Sequence, residues 1–202
     1  MARYTGPKNK IARREGVNLG LKTLPPKVEK RLGVLPGQHG KKGRRKVSEF
    51  GLQLREKQKV KSIYGVLEKQ FRKYFVIAAK SKSATGETLL TILERRLDNV
   101  VYRLGMAPTR AAARQIVAHR HVLVNNKKVN IPAYLVKADD VIVLDNKASS
   151  IPEVKKLLAE QNMTIPSWLI KKGGAGKVVK IPTRADIDAT VTEQLIVEFY
   201  SR

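Results

Sequence analysis

Apolar residues recur at three- and four-residue spacing through Val60, Ile63, Tyr64, Leu67, Phe71, Tyr74, Phe75 and Ala78, the period of one helix face. Ser48 precedes that run and can accept a first-turn N–H through its hydroxyl, with Glu49 well placed against the helix dipole. The spacing therefore predicts one or two long helices from Ser48 to about Lys80. SKSATGE, Ser81 to Glu87, reads as a loop between domains. A second stripe, Leu89, Leu93, Leu97, Val100, Val101 and Leu104, predicts a helix from Glu87 to Leu104. At about 100° per residue, Arg96, Asn99 and Arg103 lie on a polar stripe beside it. Gly105 ends that helix and Thr109 caps the next, which turns Ile116 and Val117 inward and carries Arg110 and Arg114 on its exposed face.

After His121 the period becomes two. VLV (Val122 to Val124), the Asn125-Asn126 turn and KKVNI (Lys127 to Ile131) predict a hairpin, and AYLV with VIVL, flanking Lys137 to Asp140, predicts a second strand pair. Pro152 opens a further helix to about Gln161, and GGAG, Gly173 to Gly176, reads as a flexible turn between WLI and VVKI. The final run LIVEFY is too apolar for a free tail, which predicts docking on its own domain or on a neighbouring protein. Before Lys46, breakers such as Gly6-Pro7, Pro25-Pro26 and Pro36-Gly37 predict an extended arm with short helical turns, although Ile11, Leu19, Leu32 and Leu35 give it apolar anchors. The fold class is α+β: a mainly helical N-terminal domain with an inserted module of two helices and a small antiparallel sheet.

Charge alters this picture more than composition does. Lys plus Arg number 41 against 17 Asp plus Glu, a formal net charge of +24, so the folded chain repels itself unless a polyanion neutralises it. The excess is steepest over residues 1–61, with 18 Lys or Arg against 4 Glu. Nucleic acid is the leading partner. No stretch reaches the roughly 18 apolar residues of a membrane span and no secretory leader is evident, which points to an untargeted cytoplasmic chain with no membrane partner. Aromatics at 5% are too sparse for base-by-base stacking, which favours recognition of RNA backbone and shape.

The chemistry-bearing residues point away from catalysis. There is no cysteine, so thiolate metal sites, disulfides and cysteine nucleophiles are excluded. His39 stands alone, and His119 and His121 have no third ligand nearby, so no metal and no cofactor are expected. GGAGKVV lacks the first glycine of a phosphate loop and carries Val178 where a Mg²⁺-binding hydroxyl is needed. The Arg-Leu-Asp triplet of ERRLDNVV occurs around the catalytic aspartate of some pseudouridine synthases. Here, however, Asp98 lies between core positions, where pairing with Arg95 is the simpler reading, and the Thr-Ser-Gly that follows in those enzymes is absent. No catalytic residue is assigned.

RLDNVVYRLGMAPTRAAARQIVAHRHVLVNNKKVNIPAYLVKADDVIVL resembles the small RNA-binding module built from an alpha-L motif. That module alone also admits an RNA-modifying enzyme or assembly factor, and charge alone admits a DNA-compacting protein. The flanks ARYTGPKNKIARREG, PGQHGKKGRRKVSEFGLQLREKQKVKSIYGVLEKQFRKYF and TEQLIVEFYSR resemble the bacterial small-subunit ribosomal protein number four family over essentially the whole chain. The resemblance implies a primary binder of small-subunit ribosomal RNA that recognises a multi-helix junction early in assembly. It also implies a place beside the messenger RNA entry channel and small-subunit protein number five, at an interface linked to translational accuracy, and no homo-oligomer. The location implied is the cytoplasmic ribosome, with an organellar ribosome left open. Many relatives bind zinc through four arm cysteines; this chain has none and would be a zinc-free variant.

The expected organisation is an arm over 1–46, a ribosomal RNA-binding helical domain from 47–86 with 153–202, and the alpha-L type module over 87–152. The expected RNA contacts in the arm and helical domain are Arg3, Arg13, Arg14, Gln38, His39, Lys41, Lys42, Arg44, Arg45, Arg55, Lys57, Lys59, Lys61 and Arg72. Those in the module are Arg96, Arg103, Arg110, Arg114, His119, Arg120, His121, Lys127 and Lys128. In PGQHG, glycine lets backbone amides approach phosphate, while Gln38 and His39 supply side-chain donors.

Overall fold

The computed structural model describes residues 3–21, 29–42, 46–159, 164–187 and 191–202. Arg44 and Arg45 lie outside them. The chain divides into two compact units, Met1–Gly86 with Ala189–Arg202, and Glu87–Asp188.

In the first unit, α1 (Lys8–Glu15) ends at Gly16, whose φ of 76° lets its N–H return to the Ala12 carbonyl at 2.8 Å. A single 3₁₀ turn spans Gly40–Lys42. The Arg13 guanidinium donates to the carbonyls of Val34 and Leu35, both at 3.0 Å, and so fastens this segment to α1. Helix α2 (Glu49–Ile63) starts at Ser48, whose hydroxyl accepts the Gly51 N–H at 3.2 Å. Gly65, at φ 61°, separates it from α3 (Glu68–Ala79), so the predicted helical stretch is two helices. The C-terminal helix, numbered α9 below, is Glu193–Tyr200; it docks on α2 within its own unit and buries Ile196 completely.

The second unit takes in α4 (Thr85–Glu94) from Glu87 onward, α5 (Leu97–Arg103) and α6 (Arg110–Ala118), followed by β1 (Val122–Val124), β2 (Lys127–Lys128) and β3 (Val141–Leu144). Then come α7 (Asn146–Ser149), α8 (Pro152–Ala159), β4 (Leu169–Lys172), β5 (Ala175–Val178) and a 3₁₀ turn at Arg184–Asp186. The sheet runs β2-β1-β3-β5-β4, every pair antiparallel. Its inward side chains, Val122, Val124, Ile142, Leu144 and Val178, meet Leu97, Val101, Leu104, Ile116, Val117 and Trp168 in one core. A Cβ at Gly176 would run into the Leu104 side chain, which is why the β5 position facing α5 is glycine.

Three expectations change here. The helix predicted over Glu87 to Leu104 is interrupted: Arg96 is extended at φ −65°, ψ 135° and serves as the N-cap of α5. The segment Pro132–Val136 replaces the missing turn. Leu97 and Asp98 donate their N–H groups to Tyr134 and Pro132, Val136 donates to Arg95, and Leu135 bridges Arg96. AYLV is consequently this crossing segment rather than a partner of VIVL. VIVL pairs instead with VLV and with Ala175 to Lys177, because Gly173, at φ 59°, turns LIKK and AGKV into a hairpin. The stretch 153–187, expected with the helical domain, therefore completes the sheet of the second unit, and only the last helix returns to the first.

Candidate nucleic-acid interface

The most charged part of the second unit is internal. Glu94, fully buried, accepts from Arg103 Nη2 at 2.8 Å, from Arg103 Nε at 3.2 Å and from Asn99 Nδ2 at 2.6 Å. The Asn99 carbonyl oxygen accepts Arg110 Nε at 2.8 Å, so one buried amide joins Glu94 to Arg110. Asp98 accepts two N–H bonds from Arg96, at 2.6 and 3.1 Å, and Arg114 Nη1 lies 3.6 Å from its second oxygen. Two carboxylates thus hold three guanidinium groups, with Arg110 joined to them through Asn99, an arrangement in which the pairing offsets the desolvation of each charge. Arg110 also lies over the Tyr102 ring, 4.6 Å from its centroid.

This corrects the reading of Arg96 as an RNA contact on the polar stripe it shares with Asn99 and Arg103. Arg96 is 2% exposed and Asn99 1%, so Arg96 is part of the internal scaffold and presents no surface to a ligand. Asp98 pairs with Arg96 rather than Arg95, whose Nε donates to the Val136 carbonyl at 2.9 Å. Arg103, Arg110 and Arg114 are half-buried, held by Glu94, by the Asn99 amide and by Asp98 respectively.

Beyond α6 the cations are more open. His119, Arg120, Lys127 and Lys128 are exposed and His121 half-buried, with the two imidazole rings 6.2 Å apart. Arg120 has φ 63°, and Asn125 and Asn126, at 49° and 62°, form the left-handed pair a two-residue hairpin turn requires. Asn125 fixes that hairpin by accepting the Val141 N–H and donating to Asp140. Lys128 meets Asp145 at 3.3 Å and holds that carboxyl below the ordinary carboxylate range. Sequence reasoning missed exposed Lys137, Lys172 and Lys177, the last of which pairs with Asp139. It also missed the scaffold role of Glu94, whose signal was one carboxylate inside the apolar run TLLTILE.

In the first unit several expected contacts turn inward. Lys57 is buried, donates to Glu68 at 2.9 Å and lies 4.2 Å from the Phe199 ring centroid. Lys61 reaches the same carboxylate at 3.1 Å, Lys59 pairs with Glu56, and Arg55 pairs with Glu15. Arg13 serves the carbonyls described above. Arg3, Arg14, Gln38, His39, Lys42 and Arg72 are exposed, and Lys41 lies in the 3₁₀ turn beside Lys42. REKQKVK is therefore largely an anchoring surface, because the carboxylates that turn its lysines inward sit on neighbouring turns and helices.

Glu68 is the hub of that anchor. Burial alone would raise its pKa, but hydrogen bonds from Lys57, Tyr200 and Lys61 outweigh it and lower the value from 4.5 to about 2. The Tyr200 hydroxyl, 2.7 Å from this carboxylate, is pushed up by its own burial and by the hydrogen bond to Glu68. A depressed folded-state value stabilises the native state above the unfolded value and is lost as pH falls through the folded one. Stability measured by denaturant between pH 5 and 2 is therefore expected to fall more steeply for the native chain than for Glu68→Gln, with the difference opening below about pH 4.5; parallel profiles would contradict the hub.

Among the described residues no cluster of His, Cys, Asp or Glu is arranged to hold a metal, and no helix is long and apolar enough to cross a membrane.

A basic helix pair closed by a small antiparallel sheet, in a chain that also holds a mainly helical unit and a net charge of +24, defines a nucleic-acid-binding class of protein, and the relatives narrow it. Residues 3–94 match the family described as ribosomal protein S4/S9 N-terminal domain, and residues 95–142 match the S4 domain. Over their full lengths and all of this chain, the small ribosomal subunit protein uS4A of Symbiobacterium thermophilum is 51% identical and uS4 of Dictyoglomus turgidum 53%. The uS4A of Clostridium botulinum is also 53% identical over the whole of both chains. The chain belongs to the bacterial uS4 family of small-subunit ribosomal proteins, a structural and non-enzymatic family.

Proposed function

We propose that this protein binds small-subunit ribosomal RNA as one of the first proteins on it, orders a multi-helix junction and so nucleates assembly of the subunit body. The observation that carries the reading is full-length identity above half with proteins named for the small ribosomal subunit. The charge supports it, since an unbalanced +24 is stable in a compact particle only against polyanion. The contacts proposed for the module are Arg103, Arg110, Arg114, His119, Arg120, His121, Lys127 and Lys128. For the helical unit they are Arg3, Arg14, Gln38, His39, Lys41, Lys42 and Arg72, together with Arg44 and Arg45 of the sequence. A place in the ribosome beside the messenger entry channel and small-subunit protein number five, with an effect on decoding accuracy, belongs to the same proposal.

The test is retention on small-subunit ribosomal RNA against excess duplex DNA at physiological salt. Selective retention is expected, and equal competition would reject the reading. Each phosphate contact contributes about −0.7 to −0.9 to the slope of log affinity on log salt. Lys127→Ala with Lys128→Ala is therefore expected to flatten that slope by about one to two units, whereas an unchanged slope removes the hairpin from the contact surface.

A further inference from the structure

We infer that Asn99 and Glu94 are positioning residues for RNA recognition: a buried amide and a buried carboxylate fix the guanidinium plane of Arg110, so that it meets RNA phosphate as an oriented fork rather than as a mobile charge. The inference rests on the proposal that Arg110 faces RNA.

Three observations carry it. First, Arg110 Nε donates to Asn99 Oδ1 at 2.8 Å, and Asn99 is 1% exposed, so the contact on which Arg110 pivots is inside the protein. Second, Asn99 cannot rotate away. Its Nδ2 donates both to the Glu94 carboxylate at 2.6 Å and to the Glu94 backbone carbonyl at 3.0 Å, which directs its oxygen to Arg110. Glu94 is itself held from the other side by the two bonds from Arg103. Third, the Tyr102 ring lies under the same guanidinium, 4.6 Å from its carbon, and restricts tilt of the plane.

The chemistry gives this arrangement a use. An arginine side chain samples many rotamers, and its planar fork matches two phosphate oxygens only in one orientation. Fixing the plane before RNA arrives removes that ordering cost from binding. The amide and the ring touch Arg110 and the carboxylate holds the amide, leaving recognition to the guanidinium they orient.

The experiment separates geometry from charge. Affinity for small-subunit ribosomal RNA is measured for the full chain as Arg110→Ala, Arg110→Lys and Asn99→Ala, with unfolding followed in parallel. Arg110→Lys keeps the charge but has no Nε to meet Asn99, and this half-buried site tolerates lysine even where the buried Asn99→Ala disrupts folding. Both Arg110 variants are expected to lose about tenfold in affinity, while Arg110→Lys retains the native salt slope. Asn99→Ala is expected to weaken binding in the native background by a similar factor and to add less than about twofold once Arg110 is already alanine. Native-like affinity for Arg110→Lys beside a weakened Arg110→Ala would overturn the positioning role and leave the RNA-binding reading standing. No loss for Arg110→Ala would overturn both the positioning role and the place of Arg110 on the RNA face. Equal losses for Asn99→Ala in the two backgrounds would show that Asn99 acts on the fold at large, again overturning the inference.

Discussion

Asp98→Ala is expected to destabilise the second unit by about 3–5 kcal/mol, the range for removing one partner of a buried ion pair. Asp98 receives both N–H bonds of a guanidinium that is only 2% exposed, accepts the Asn99 N–H and faces Arg114. Without it, the scaffold holds Arg96 short of its carboxylate, which is why the cost exceeds that of an ordinary surface charge. Combining Asp98→Ala with Arg96→Met is expected to recover most of the loss, because apolar groups of similar volume replace a buried pair at little net cost. Native-state amide exchange provides the measurement, with faster exchange in β1, β3 and β5 and unchanged protection in α2 and α9. A loss below about 1 kcal/mol would place Asp98 among weakly coupled surface pairs.

Ile196→Ala is expected to cost about 2–5 kcal/mol, the cavity range for a buried isoleucine, and to express it in the other unit. Ile196 is fully buried against α2, and α9 brings Phe199 to Phe50 at 5.6 Å and Tyr200 to Phe75 at 4.6 Å. Polar contacts fix its register: Gln53 donates to Glu198 at 3.0 Å and the Thr192 N–H donates to Glu56 at 2.9 Å. Exchange should rise in α2, α3 and α9 while the sheet stays protected, and the exposed neighbour Gln194→Ala should move stability by no more than about 0.5 kcal/mol. An equal effect of Gln194→Ala would place the wrong face of α9 inward.

Elements set by local chemistry were legible in the residues. Ser48 and Thr109 cap the helices they precede, Gly105 ends one, and Asn125-Asn126 turns the hairpin. Each acts through its own backbone or side chain within a few positions. What misled was a stripe that keeps helical phase across a break. Leu93 and Leu97 remain four apart although Arg96 is extended, and only the distant segment Pro132–Val136 reveals why. LIKK and AGKV were hidden for a related reason: strands of four residues with Lys171 and Lys172 on opposite faces carry little alternation, and the pairing of AGKV depends on VIVL some thirty positions earlier.

The candidate surface divides in the same manner. The exposed cations around the hairpin were readable because nothing acidic lies close in sequence to Arg120, Lys127 or Lys128. Lys57 and Lys61 were misread as outward because their carboxylate, Glu68, comes from the next helix, and Arg96 because the break in the helix at its own position turns it onto Asp98, two residues on. Charge excess identifies the kind of partner, but the fold decides which cations are spent internally.

The pairing of β3 with β5 also sets an order of events during synthesis. Leu144 leaves the ribosome that makes this chain about thirty residues before Ala175, so at roughly 5–20 residues per second the outer edge of β3 waits on the order of seconds for its partner. Through that interval β3 presents unpaired amides and carbonyls beside its apolar face, the form of strand most prone to join another chain. A chain ending at Leu144 would keep that edge permanently, and is expected to self-associate more strongly than one ending at Ile187, which lacks α9 equally but pairs the edge.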